Sequence, residues 1–276
     1  PGQYETDVRT PSNEIFENNP YITKLDDSDA ITIEMHYTDS IARSNQIPIS
    51  FLAGYTNYLG VELKIPLSLT TNRPHLWLAQ EEMLWINQIK EHFTGKDTPF
   101  WVVNAGIKND FTLKQWPVES YQEVVDSLRG KVQFVQVGAS EHDHPPLRGV
   151  IDLRGKTDIR QLIRLCWWAK GAIGPITFIQ HIFAAFEKPY IALVGGREPA
   201  TWVQYPCQVT FHTIGALDCC RAGACWKSRV IALNDGSEQD RSLCEQPILG
   251  LSRPVGKCMA IISSKDVSHS ICRYLT

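Results

Sequence analysis

Polar and apolar positions change their period along this chain, and the sharpest change falls between Lys170 and Gly196. Ile179, Ile182, Phe183 and Phe186 recur at helical spacing up to Lys188 and Pro189, and Tyr190 to Val194 is then a continuous apolar run. Helical spacing followed by a short unbroken apolar run predicts a helix packed against a buried strand. Gly174 and Pro175 punctuate the stretch before it, so the segment is expected to run loop, helix, strand and glycine turn, with the helix starting near Ile176. Thr177 falls in the first turn, where free backbone N–H groups and the positive dipole end attract anions. A phosphate-bearing ligand is the natural guest.

The rest of the chain can be placed around that segment. Tyr21–Leu25 and Ala30–Met35 concentrate β-favouring residues on either side of an Asp-Ser turn and predict two strands. A helix is expected from Ser44 to Gly60, with VELKI after it as a strand, and Pro74 is expected to open a second helix running to Gly95. From Phe100 the order is strand Phe100–Val103, a long loop, helix Val118–Leu128, strand Val132–Val137, strand Val150–Leu153 and helix Asp158–Ala169. Alternating strands and helices imply a parallel sheet covered on both faces, an α/β fold. Three regions follow: an amino unit over 1–73, a connecting helix and linker over 74–98, and a carboxyl unit over 99–276 that contains a cysteine-rich loop at 207–258.

With 276 residues, 43% of them hydrophobic, the chain can bury a sizeable core. Its net charge of −3 and its lack of basic runs argue against a nucleic-acid or acidic-membrane partner. No apolar run approaches the roughly 20 residues that span a bilayer, so a soluble, cytoplasmic protein without a transmembrane segment is expected. A homo-oligomer stays open. Seven of the eight cysteines fall from Cys207 onward, a clustering that composition alone does not explain.

In open α/β sheets ligand groups gather at the carboxyl ends of strands. Asn104, Lys114, Gly138, Glu141, Thr177, Phe178 and His181 all follow strand ends or open the central helix and so share one crevice. Lys114 offers a mobile charge for a phosphate, Glu141 an acceptor for ribose hydroxyls. The plainer readings are a surface lysine, a solvated acidic loop and, for His181, a core histidine satisfied by a backbone partner. His36, with Tyr37 and Asp39, follows the predicted strand ITIEM and is the candidate general base, a polar loop being the plainer reading.

The runs NAGIKNDFTLKQWPVESYQEVVDSL, VQFVQVGASEHD, LRGKTDIRQLIRL and IQHIFAAFEKPYIALVGGREPATWVQYP together resemble the carboxyl domain of glycosyltransferase family 9, the ADP-heptose heptosyltransferases. The resemblance covers roughly residues 100 to 206. It implies the GT-B fold, two facing Rossmann-like domains with parallel sheets, and inverting sugar transfer from a nucleotide-diphosphate donor, ADP-heptose favoured, to a glycan or protein acceptor without a catalytic cofactor. The family's Lys before Trp-Pro matches Lys114, its acidic residue past the glycine turn matches Glu141, and its phosphate-contacting helix start matches Thr177 to His181. Where relatives carry Asp-Thr-Gly, this chain has Ile176, Thr177 and Phe178. The family's opening strand and catalytic Asp would fall before Pro1, so the amino domain is expected to be incomplete. Another nucleotide-sugar enzyme such as an epimerase, or a catalytically silent relative that binds a glycan or partner, are the alternatives.

Cys219, Cys220, Cys225, Cys244 and Cys258 could supply a tetrahedral thiolate site. The group is similar to the cysteine metal finger of autotransporter heptosyltransferases within the same family, which implies structural zinc or iron; buried free thiols or disulfides are the alternative.

Overall fold

The computed structural model describes residues 4–36, 38–84, 89 and 99–275. Its centre is a six-stranded parallel sheet in the order β3-β2-β1-β4-β5-β6. The strands are β1 (Phe100–Val103), β2 (Gln133–Gln136), β3 (Ile151–Asp152), β4 (Gly171–Pro175), β5 (Tyr190–Gly195) and β6 (Gln208–His212). Pro247–Ile248 (β7) and Val255–Gly256 (β8) form a separate antiparallel pair. The α/β class and the parallel sheet expected from the sequence are both present.

Short side-chain alternation sorts the core into two layers. Phe100 and Val102 of β1 face one apolar cluster with the helices over Ile159–Trp168 and Phe178–Ala185, whereas Trp101 and Val103 face another with the helices over Val118–Ser127 and Ser264–Cys272. In chain order the helices are α1 (Thr38–Ser44), α2 (Phe51–Leu63), α3 (Gln80–Leu84), α4 (Val118–Ser127), α5 (Ile159–Trp168), α6 (Phe178–Ala185), α7 (Ala200–Val203), α8 (Lys257–Ala260) and α9 (Ser264–Cys272). Strand interiors buried on both faces read as unbroken apolar runs, which is why β5 was legible. Asp158 caps α5 through a full capping box with Gln161, as its place before the helical run predicts.

Three local expectations are corrected. The stretch from Lys170 to Pro175, expected as a loop, contains the central strand β4, Gly171–Pro175. A Cβ on Gly171 would lie 2.6 Å from the Trp101 ring, and one on Gly174, which looked like a loop signal, 2.7 Å from the Tyr190 hydroxyl, so both glycines admit aromatic neighbours within a strand. The expected strands Tyr21–Leu25 and Ala30–Met35 are not strands; Ile31 is 86% exposed. β-favouring residues form a ladder only where a partner strand is supplied, and none of the described residues supplies one. VELKI is not a strand either: α2 continues to Leu63 and ends at Lys64 in a left-handed conformation, with the Lys64 N–H bonded back to Gly60 and Val61.

The helix expected from Pro74 begins at Gln80, because Glu82 accepts the Ala79 N–H at 2.9 Å and caps the first turn. Leu76 and Leu78, two residues apart, instead lay an extended segment against the core. Most of the rest of the stretch expected to be helical, up to Gly95, falls within 85–88 and 90–98, outside the described residues. Arg160 on α5 ties this part of the chain to the sheet unit: it donates to both Glu82 oxygens and to the carbonyls of Trp77 and Glu14.

Candidate functional site

β1 and β4 lie side by side, with the chain winding outward in opposite directions from them. Such a switch point leaves a crevice beyond the carboxyl ends of the two strands, where open α/β sheets place their ligands. Asn104 leaves β1 and Thr177 leaves β4, and the Asn104 Nδ2 donates to Thr177 Oγ1 at 3.1 Å. Thr177 is the N-cap of α6, but its hydroxyl is turned to Asn104 and caps no helix N–H. The first turn of α6 therefore has no cap from the Thr177 side chain, the Gln180 N–H alone turning back to the Thr177 carbonyl at 3.1 Å. Phe178, the first residue of α6, packs against the core.

Lys114 closes a short 3₁₀ segment, Asn109–Lys114, that is kinked at Phe111. Backbone bonds from Leu113 to Ser228 and from Val230 to the Thr112 hydroxyl hold this segment in place. The Lys114 Nζ stands 2.7 Å from Glu198 Oε1 and 3.4 Å from the Ile176 carbonyl, at the threshold of α6. Arg197 Nη1 donates to the same Glu198 oxygen, and its Nε donates to the Lys227 carbonyl at 2.7 Å. The Phe111 ring underlies both cations, 5.6 Å from Lys114 Nζ and 4.8 Å from the Arg197 guanidinium.

The charges in this cluster set one another's protonation. Burial favours the neutral form of Glu198, but Lys114 and Arg197 outweigh it and hold the carboxyl below its ordinary value. Burial lowers the Lys114 pKa, Glu198 opposes the fall and Arg197 adds to it. Burial, and then the charge of Lys114, push His181 down to about 4, so its ring is neutral near pH 7. His181 Nδ1 is 2.7 Å from the Tyr205 hydroxyl and its ring stacks on Phe51 of α2. Two cations around one carboxylate leave a net positive charge beside a helix start, a setting that attracts an anion.

Arg197 and Glu198 were missed in the sequence. Their signal was the Gly195-Gly196 turn at the carboxyl end of β5: Gly195 has φ +64, and a Cβ there would meet Met259 Sδ at 2.5 Å, so the chain can reverse there only as glycine. That reversal carries Arg197 and Glu198 to Lys114.

The other expected site residues lie further out. Glu141 is exposed on the turn beyond β2, bonded by Ser140 Oγ at 3.2 Å. Gly138 lies on the same turn, and a Cβ there would fall 2.3 Å from the His144 ring, so its smallness serves that packing. His36 is exposed, its Nε2 3.6 Å from Glu34 and its ring edge-on to Tyr58. Among the described residues neither His36 nor Glu141 is hydrogen-bonded to the Lys114 cluster, and Tyr37 lies outside those residues.

Cys219, Cys220, Cys225, Cys244 and Cys258 do gather, around one small pocket that Leu113 and Gly196 also line. The pocket is thus backed onto the residues next to Lys114 and Arg197. Backbone bonds Cys225 N to Gly196 O and Trp226 N to Arg197 O lace the cysteine loop to the turn that carries Glu198. All five are free thiols, and burial together with the neighbouring sulfurs pushes Cys219 and Cys258 up to about 11. Among the described residues no three metal-ligating side chains are drawn together closely enough to hold an ion.

A parallel sheet of order 3-2-1-4-5-6, with a cation cluster beyond the carboxyl ends of its strands, defines a Rossmann-like unit. The sequence profile of glycosyltransferase family 9 (heptosyltransferase) matches residues 78–222, more than half of the chain, and the chain belongs to that family. Among solved structures, a family 9 glycosyltransferase from Veillonella parvula is similar at 16% identity and a TM-score of 0.54, over 80% of this chain and 60% of that one. ADP-heptose lipopolysaccharide heptosyltransferase II from Escherichia coli is similar at 15% identity and a TM-score of 0.49, over 76% of this chain and 54% of that one. The chain thus spans less than two thirds of the length of either structure. No curated protein sequence matches it. No helix among the described residues is long and apolar enough to cross a membrane.

Proposed function

We propose that this chain carries the donor site of an inverting glycosyltransferase, which moves a sugar, heptose in the first instance, from a nucleoside-diphosphate donor to a hydroxyl of a glycan or protein acceptor. The observation that supports it most is the Lys114–Glu198–Arg197 cluster at the threshold of α6, in a chain of family 9. In the transfer, the acceptor oxygen bonds to the anomeric carbon as that carbon's bond to the phosphate oxygen breaks. The acceptor proton passes to a base and the pair of electrons leaves with the diphosphate. Lys114, Arg197 and the α6 N–H groups stabilise the charge that develops on that leaving group. Glu141 is assigned the ribose hydroxyls and neutral His181 a wall of the site held by Tyr205. The base is assigned to the amino unit, residues 1–73, with His36 its candidate in this chain; 74–98 connect it to the donor unit, 99–276.

The five cysteines could supply the four soft thiolates of a structural metal, and a dication would favour the thiolate form that burial first, and then the neighbouring sulfurs, disfavour at Cys219 and Cys258. There it would brace the turn bearing Arg197 and Glu198 and take no part in the transfer. Incubation with radiolabelled ADP-heptose and an acceptor extract tests the reaction. Labelled product requires the proposed activity, an altered nucleotide sugar would indicate an epimerase, and absence of both binding and turnover would make the chain a silent relative.

A further inference from the structure

Two cationic heads share a single buried carboxylate in this site. Glu198 is 4% exposed, fixed between the Gly195-Gly196 turn and Pro199, and directs one oxygen to both Lys114 and Arg197. Its other oxygen, Oε2, is buried without a hydrogen-bond partner among the described residues. No backbone donor therefore drains its charge, which goes to the two cations. Two further titratable neighbours are His181, which reaches the cluster from α6 and is neutral, and Cys225 beside Arg197, whose thiol is pushed up by burial and so also stays neutral. Lys227 gives Arg197 only its carbonyl, its ammonium lying 3.6 Å from Glu245.

We infer that Glu198 is the positioning residue of the phosphate site: it keeps Lys114 an ammonium and holds that ammonium at the threshold of α6. This rests on the donor-site reading above. A buried amine beside a guanidinium is under pressure to lose its proton, and the guanidinium itself cannot yield one. Without Glu198, Lys114 would face Arg197 alone and be the group that gives way. With Glu198 present, the cluster keeps both cations and presents one surplus positive charge, rigidly placed, to the incoming diphosphate. The Lys114 bond to the Ile176 carbonyl at 3.4 Å fixes the direction in which that charge points.

The test reads Lys114 directly. Protein labelled with ¹³C-lysine is titrated by NMR, the Lys114 Cε signal being identified by its loss in Lys114→Arg. In Glu198→Gln, Lys114 is expected to lose its proton at least one pH unit lower than in the wild type, a tenfold loss of proton affinity. In Arg197→Gln it is expected to do so at least one unit higher. Calorimetry with ADP above pH 7, where the terminal phosphate is already ionised, supplies the functional arm. In Glu198→Gln the affinity should fall tenfold per pH unit from a lower onset than in the wild type, and Glu198→Asp should restore the wild-type onset. Lys114 titrating at the same pH in all these proteins overturns the inference, as does a Glu198→Gln affinity that is weaker by one constant factor at every pH. Should Glu198→Gln not fold, the upward shift in Arg197→Gln decides alone, its absence overturning the inference. NMR shifts as expected with no ADP binding by the wild type would leave the ion pair standing and refute the role given to it in a donor site.

Discussion

Asn104 and Thr177 are joined by a 3.1 Å hydrogen bond across the line where β1 and β4 meet, so one side-chain contact spans the point at which the strand order reverses. Asn104 is 3% exposed. Thr177→Val keeps the shape and removes the hydroxyl, leaving the Asn104 amide buried and unpaired at a cost of about 1–3 kcal/mol. Urea unfolding should show that loss, and ADP affinity should fall with it; an unchanged midpoint would show that the bond contributes nothing.

His181 gives the chain an acid sensitivity with a definite sign. Its pKa is about 4 in the folded protein against about 6.5 when unfolded, so between these values the unfolded chain binds the extra proton. Stability is therefore complete above about pH 6.5 and falls as the pH drops toward 4, by up to ~3 kcal/mol for this group. His144, pushed to about 4 chiefly by burial, acts in the same direction. His181→Asn should flatten part of the slope between pH 6.5 and 4 in thermal unfolding. A slope identical to the wild type would assign it elsewhere.

Gly171 stands against the Trp101 ring in the central strand. Gly171→Ala should cost ~1–3 kcal/mol by overpacking, and Trp101→Phe in the same chain should recover part of it. If Gly171→Ala unfolds at the wild-type temperature, the close approach of strand and indole is not as described.

The metal proposed for the cysteine pocket is open to direct measurement. Protein purified without chelator should contain about one zinc or iron per chain, and its removal should lower the melting temperature, as should Cys258→Ser. Metal-free protein with an unchanged melting temperature would leave the cysteines as buried thiols.

These residues also show which parts of the architecture the sequence could reveal. β5 and α6 were readable because an unbroken apolar run and a 3.6-residue period each point to one structure. β4 was hidden, since its glycines answer to Trp101 and Tyr190, which are neighbours only after folding. Lys114 and Thr177 could be singled out because each follows a strand end. Glu198 could not, since it gains its meaning from the turn at Gly195 that brings it to Lys114. The amino third misled for the opposite reason: Ala30–Met35 has a strand's composition but no partner among the described residues. The cysteines could be grouped by number and crowding, but not the backbone bonds that lace their loop to the site.

The central claim is that Lys114, at the threshold of α6, binds the diphosphate of a nucleotide donor. Calorimetric titration of the wild type and of Lys114→Met with ADP and with ADP-heptose tests it most directly. Both ligands should bind the wild type, and both should lose roughly tenfold to a hundredfold in affinity in Lys114→Met, the worth of one charge-assisted contact. Equal affinities in the two proteins would contradict it.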